Sequence, residues 1–206
     1  MKKEVLGLTF AVLLGDITYA HFSNRKPLVQ QAYLSASRPF VSLETVLERD
    51  FNIIYEGDKS EAVVEKLYYN LSIIRNENPE LLKNTKKIIV FPKGPTELGE
   101  KYIGTATVDG TIKLRNDYEL HNLAHEAAHT CSYDLSLGFR SIFCAFDNQS
   151  RGLMENVARV VETFYYEMNY PHLKCKKPTN EVLLNALRGE GLISGKQCER
   201  AIRDGK

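Results

Sequence analysis

One segment of the chain, ELHNLAHEAAHT, places histidines four residues apart at His121, His125 and His129. In an α-helix, side chains four residues apart lie one above the other on the same face, about one turn apart. A helix therefore brings His125 and His129 close enough for both imidazoles to bind one metal ion. We predict such a helix, opened by a capping box between Asn116 and Glu119 and ending near Cys131.

With Glu126, the two histidines form the pattern H-E-x-x-H, His125 to His129. Two neutral imidazoles suit zinc, which lowers the pKa of a water that it binds towards about 7 and polarises a carbonyl. A glutamate next to the first histidine can take the proton of that water and pass it to the leaving amine. The pattern therefore predicts a zinc-dependent hydrolysis of peptide bonds with Glu126 as the general base.

A catalytic zinc site needs a third protein ligand. His121 is a poor candidate, because the helix rises about 12 Å between it and His129, and we expect His121 to pack or to form hydrogen bonds instead. The segment MENVARVVE of a second predicted helix carries Glu155 and Glu162 on nearly one face. The small Ala158 would let the two helices approach closely, so we predict Glu155 as the ligand and Glu162 as the alternative.

The remaining patterns predict an α+β fold. Apolar residues at helical spacing after Ser60 predict a helix, and the segment KIIVF predicts a short central strand. Asp109-Gly110 joins two alternating segments, which is typical of a β-hairpin. A further strand is expected from Phe51 to Tyr55, after a short helix. Two short helices separated by glycines are expected near the end of the chain.

The residues HEAAH, together with a later helix that bears ENVA, resemble the gluzincin metallopeptidases, whose third zinc ligand is a downstream glutamate. The order of elements from Phe51 to Asn169 is similar to that of the compact catalytic domains related to anthrax lethal factor. The resemblance implies a zincin-like domain, with a small mixed sheet and an edge hairpin packed on an active-site helix and a following glutamate helix. Such domains commonly carry an acidic residue four positions after the ligand glutamate, where this chain has Arg159.

The resemblance also implies how a substrate would bind. An extended peptide would pair with the edge strand of the sheet. The matching residues in this chain are Gly104, Thr105, Ala106 and Thr107. Such families often use a tyrosine or a histidine to stabilise the oxyanion, and among several tyrosines and one histidine we prefer His172 for this role.

The first residues have the composition of an export signal. Lys2 and Lys3 precede an apolar run, and small residues stand at Thr18 and Ala20. We predict cleavage after Ala20 and an exported protein, periplasmic or extracellular, without stable insertion in a membrane afterwards. The apolar run is too short to span a bilayer as a helix and is interrupted by Asp16, so a retained membrane anchor is the weaker alternative.

An oxidising compartment favours the pairing of cysteines. The chain has four of them, Cys131, Cys144, Cys175 and Cys198. Proximity in sequence favours the disulfides Cys131–Cys144 and Cys175–Cys198, and free buried thiols are the alternative.

The length of 206 residues and a hydrophobic content of 43% predict a single domain over residues 21–206, with a catalytic core at about 51–170 and a helical tail at 171–206. A formal charge of +1 without a basic block argues against nucleic acid as a partner. The sequence thus predicts an exported zinc metalloendopeptidase acting on peptides or proteins. Two alternatives stay open: a zinc-stabilised binding protein without catalysis, and a disulfide-stapled secreted binding module without metal.

Overall fold

The computed structural model describes residues 42–92, 102–136, 138–139, 141–142, 152–173 and 180–204. Within these ranges the chain forms six α-helices and one sheet of four strands. The helices are α1 (Leu43–Phe51), α2 (Glu61–Glu77), α3 (Leu120–Ser132), α4 (Leu153–Asn169), α5 (Glu181–Gly189) and α6 (Gly195–Asp204). The strands are β1 (Ile54–Gly57), β2 (Lys87–Phe91), β3 (Gly104–Ala106) and β4 (Thr111–Arg115), and a 3-10 helix spans Pro79–Leu82.

The sheet is small and mixed, as predicted. Its strand order is β1-β2-β4-β3, with β1, β2 and β4 parallel and β3 antiparallel to β4. The segment KIIVF forms the central strand β2, where Ile88 and Val90 are fully buried. Because β3 is the last strand of the order, it forms an edge of the sheet in the described part of the chain. The α+β class and the edge hairpin are therefore confirmed.

The hairpin between β3 and β4 turns at Asp109-Gly110. Gly110 has a φ of +86°, which side chains rarely allow, and an added Cβ would lie 2.2 Å from the Asn84 carbonyl oxygen. The Thr107 N–H donates to the Thr111 carbonyl across the turn. The turn therefore requires glycine both for its backbone conformation and for the close approach of Asn84.

Two predicted boundaries are wrong. The strand expected from Phe51 to Tyr55 begins at Ile54, because α1 continues through Phe51 and is followed by Asn52 at a φ of +56°. The capping box expected between Asn116 and Glu119 instead joins Glu119 to Asn122, whose Oδ1 accepts the Glu119 N–H at 2.9 Å.

The turn after β4 explains the second difference. The Asn116 N–H donates to the Phe91 carbonyl of the neighbouring strand, and the Tyr118 N–H donates to the Arg115 carbonyl. These bonds hold Asn116 in the turn that closes β4, so the helix can begin only after Glu119. Helix α3 ends at Ser132, one residue after the predicted end at Cys131.

Helices α3 and α4 pack closely on one another. The residues of α3 that face inward include Ala124, Ala127 and Ala128, and α4 contributes Ala158; all four are fully buried. Small side chains at a helix contact let the two backbones approach. This close packing brings the polar side chains that flank the contact within reach of one another.

Several predictions concern residues outside the described ranges. The export signal at residues 1–20 is one, and Cys144 and Cys175 are others. Cys131 and Cys198 are free thiols in the structure, and the Cys131 thiol donates to the carbonyls of the 3-10 helix. Since the partners predicted for them are not described, both disulfides stay predictions. No helix in the described ranges has the length and hydropathy that crossing a membrane would need.

Candidate metal centre

Three side chains converge where α3 meets α4. The Nε2 atoms of His125 and His129 are 3.1 Å apart. From α4, the Oε2 atom of Glu155 lies 3.3 Å from His129 Nε2 and 3.7 Å from His125 Nε2. The three predicted ligands are therefore brought together, and this group could hold a metal ion.

The triangle of donor atoms fits a tetrahedral ion. Zinc bonds of about 2.0–2.1 Å place neighbouring ligand atoms roughly 3.3 Å apart in a tetrahedron. The three observed distances, 3.1, 3.3 and 3.7 Å, lie around this value. Two imidazole nitrogens and one carboxylate oxygen are also a donor set typical of catalytic zinc. The residues present thus suit such an ion in both distance and chemistry.

Glu162, the alternative ligand, lies behind His125. Its Oε2 is 2.9 Å from His125 Nδ1, the ring nitrogen that faces away from the triangle. A carboxylate in this position accepts the Nδ1–H and leaves Nε2 free as a lone-pair donor. Glu162 therefore orients the His125 ring and lies outside the group of three residues that could hold a metal ion.

Arg159 occupies the position where the catalytic domains that the sequence resembles commonly carry an acidic residue. Its Nε lies 2.9 Å from Glu155 Oε1. The two carboxylate oxygens of Glu155 thus have different partners: Oε1 contacts the Arg159 guanidinium, and Oε2 faces the rings of His125 and His129. Sequence reasoning missed this contact, although the four-residue spacing of Glu155 and Arg159 on one helix was a signal for it.

Glu126 is buried beside the triangle, with 7% of its surface exposed. Burial raises the pKa of its carboxyl group to about 7, with His125 acting in the opposite direction and Glu155 and Glu162 adding to the rise. Its side chain runs against the edge strand, since a Cβ built on Gly104 would lie 2.8 Å from Glu126 Cγ. Glu126, the predicted general base, thus packs against β3 and interacts electrostatically with His125, Glu155 and Glu162.

The surroundings shift the pKa values of the two histidines in opposite directions. Although burial opposes its charged form, His125 has a raised pKa because Glu162 hydrogen bonds to it and other carboxylates surround it. Burial and the neighbouring His125 lower the pKa of His129.

The edge strand presents only part of its backbone to the outside. Ile103 and Thr107 bond to β4 through backbone groups, with Arg115 and Thr111 as their partners. Because the direction of backbone groups alternates along a strand, Gly104 and Ala106 point their N–H and C=O groups to the free edge. Of the four residues predicted to bind substrate, Gly104 and Ala106 thus offer backbone groups for an added strand, whereas Thr105 and Thr107 point theirs at β4.

His121 and His172, the other two histidines with predicted roles, lie near the N-terminal end of α3. His121 packs edge-on against Tyr166, with ring centroids 4.9 Å apart, as expected for a packing residue. His172 is exposed and packs against Tyr170 at 6.2 Å. The Tyr170 hydroxyl hydrogen bonds to Glu119, with 2.6 Å to Oε2. The role of His172 in stabilising an oxyanion stays a prediction.

Comparisons of the chain with protein-family models, with curated proteins and with solved structures give no match. What the site can do chemically follows from its own geometry. It combines two imidazoles and one carboxylate that could hold a cation with a buried carboxyl group and the free edge of a sheet.

Proposed function

We propose that the protein is an exported zinc-dependent endopeptidase with a zincin-like catalytic domain. In this proposal His125, His129 and Glu155 hold the zinc ion and Glu126 is the general base. The observation that carries it is the convergence of three donor atoms from two helices, with distances that match a tetrahedral ion. A buried carboxyl group next to this triangle is the second element that hydrolysis requires.

A zinc ion, when bound, supplies a Lewis acid that activates water and polarises the scissile carbonyl. Glu126 takes the proton of the attacking water and transfers it to the leaving nitrogen. Burial raises the pKa of this carboxyl group to about 7 without a cation, and a bound cation would favour the ionised carboxylate that accepts the proton. Glu162 keeps the His125 ring in the orientation that binding needs.

The free edge of β3 supports an extended peptide as the substrate. Gly104 and Ala106 offer backbone donors and acceptors there, and an added strand would pair with them. Main-chain pairing makes few demands on side chains, so we expect tolerance of different sequences. Because Gly104 also touches Glu126, a peptide on this edge passes next to the proposed base.

The proposal is tested by the hydrolysis of denatured casein. Zinc-loaded wild-type protein should cleave it, and a chelator should stop the reaction. Glu126→Gln should keep fold and zinc but lose nearly all activity, whereas Glu199→Gln, on the exposed side of α6, should retain it. Undiminished cleavage by Glu126→Gln would rule out the mechanism.

The same assay separates the alternatives. Stoichiometric zinc without turnover would favour a zinc-stabilised binding protein. A protein that takes up no zinc at all would favour a metal-free secreted module.

A further inference from the structure

Gly104 stands in a strand, where glycine normally weakens the structure. A glycine loses more conformational freedom on folding than other residues and offers no side chain to pack. The backbone of Gly104 gives no reason for it, because its φ is not among the positive values found at Gly57, Gly110, Gly152 and Gly191. An L-residue could therefore adopt this conformation, and the reason for glycine must be spatial.

The space next to Gly104 is filled by Glu126. A Cβ built on Gly104 would lie 2.8 Å from Glu126 Cγ, 2.9 Å from Glu126 Oε1 and 3.0 Å from Leu114 Cδ2. Carbon atoms not bonded to each other pack at about 3.5–4.0 Å. The Leu114 contact involves the tip of a side chain that can rotate, but the first two contacts meet the middle and the end of a buried carboxyl side chain.

We propose that Gly104 is a positioning residue for Glu126, because its bare Cα forms the wall of β3 on which the Glu126 side chain rests. The proposal has two parts. The catalytic part, the effect of Gly104 on hydrolysis, rests on the proposed function. The packing part, the effect of Gly104 on the position of the Glu126 side chain, does not. Any side chain at position 104 must either turn the Glu126 carboxyl group away or move β3 away from α3. Both changes alter the separation between the base and the strand edge that is proposed to hold the substrate.

The catalytic part is tested by Gly104→Ala in the full chain. The matched control is Gly189→Ala, since a Cβ added at Gly189 meets nothing within 4 Å. Zinc affinity is measured by competition with a chelator, and kcat and KM are measured on denatured casein. We expect Gly104→Ala to bind zinc within about threefold of wild type but to lose about 100-fold in kcat, as a displacement of about 1 Å in an active site can cause.

Equal kcat values for Gly104→Ala and wild type would overturn the catalytic part. A parallel loss of zinc affinity would also overturn it, because the three ligands should be untouched. Gly189→Ala should match wild type in both measurements.

The packing part is tested without any activity. Gly104→Ala is combined with Glu126→Ala, and the urea midpoints of the four proteins are compared. Gly104→Ala should lower the midpoint in the wild-type background and lower it clearly less once Glu126 is alanine, because the contact that it violates is then gone. A Gly104→Ala protein that folds only together with Glu126→Ala would give the same support.

Equal shifts of the midpoint in both backgrounds would overturn the packing part. If wild type shows no hydrolysis, the proposed function fails while this cycle still decides whether Gly104 positions Glu126. The two failures are therefore distinguishable.

Discussion

Replacing Glu126 with glutamine should change how the stability of the metal-free protein depends on pH. The Glu126 carboxyl group is 7% exposed, and burial raises its pKa from an ordinary 4.5 to about 7. Below pH 4.5 the group is protonated in the folded and the unfolded chain alike. Between pH 4.5 and 7 it ionises only in the unfolded chain, so wild type loses stability as the pH rises, and the loss is complete above about 7.

The size of this loss follows from the two pKa values. They differ by about 2.5, and each pH unit corresponds to about 1.4 kcal/mol, which gives a loss of about 3 kcal/mol. Glutamine has a similar shape and does not ionise, so Glu126→Gln should escape the loss. The variant should therefore resemble wild type in stability near pH 4.5 and exceed it by about 3 kcal/mol at pH 8.

The assay is urea unfolding of both proteins with a chelator present, at intervals from pH 4.5 to 8. Glu199→Gln, which makes the same replacement at an exposed position of α6, is the matched control. Added zinc should reduce the advantage of Glu126→Gln, since a nearby cation favours the ionised carboxylate. A Glu126→Gln protein that is less stable than wild type at pH 8, or a difference independent of pH, would refute the reasoning.

Two further predictions concern α4. Glu162→Ala should weaken zinc binding by about 10–100-fold, because His125 loses the acceptor that orients it. The control Glu167→Ala should leave the zinc affinity unchanged. Equal affinities for Glu162→Ala and wild type, measured by chelator competition, would contradict the role of Glu162. Ala158→Leu should lower the free energy of unfolding by about 1–3 kcal/mol and weaken zinc binding, because the larger side chain separates α4 from α3. Unchanged stability in urea would show that the contact between α3 and α4 is not tightly packed.

The helical repeat made the two histidines predictable. A four-residue spacing fixes the relation of His125 to His129 wherever the helix lies in the fold. The choice between Glu155 and Glu162 was harder, because residues seven apart share a face and differ by about 10 Å along the axis. Only the lengthwise offset of α4 against α3 decides which carboxylate meets Nε2 of His125 and which meets Nδ1, and no local pattern encodes that offset.

The contact between Gly104 and Glu126 could not be predicted for a related reason. A glycine that starts a short strand can serve a turn, a bulge or a close approach, and the sequence does not distinguish these. The capping box was misplaced because Asn116 is used by the turn after β4, through a bond to the neighbouring strand. Local signals thus predicted the elements, and tertiary contacts decided how their ends are used.

The most direct test of the proposed metal centre is the zinc content of the purified protein, measured for wild type, Glu155→Ala and Glu162→Ala under identical conditions. Wild type should hold one equivalent of zinc, Glu155→Ala should lose it on dialysis, and Glu162→Ala should keep it with lower affinity. A wild type without bound zinc, or a Glu155→Ala protein that retains a full equivalent, would contradict the assignment of His125, His129 and Glu155 as the ligands.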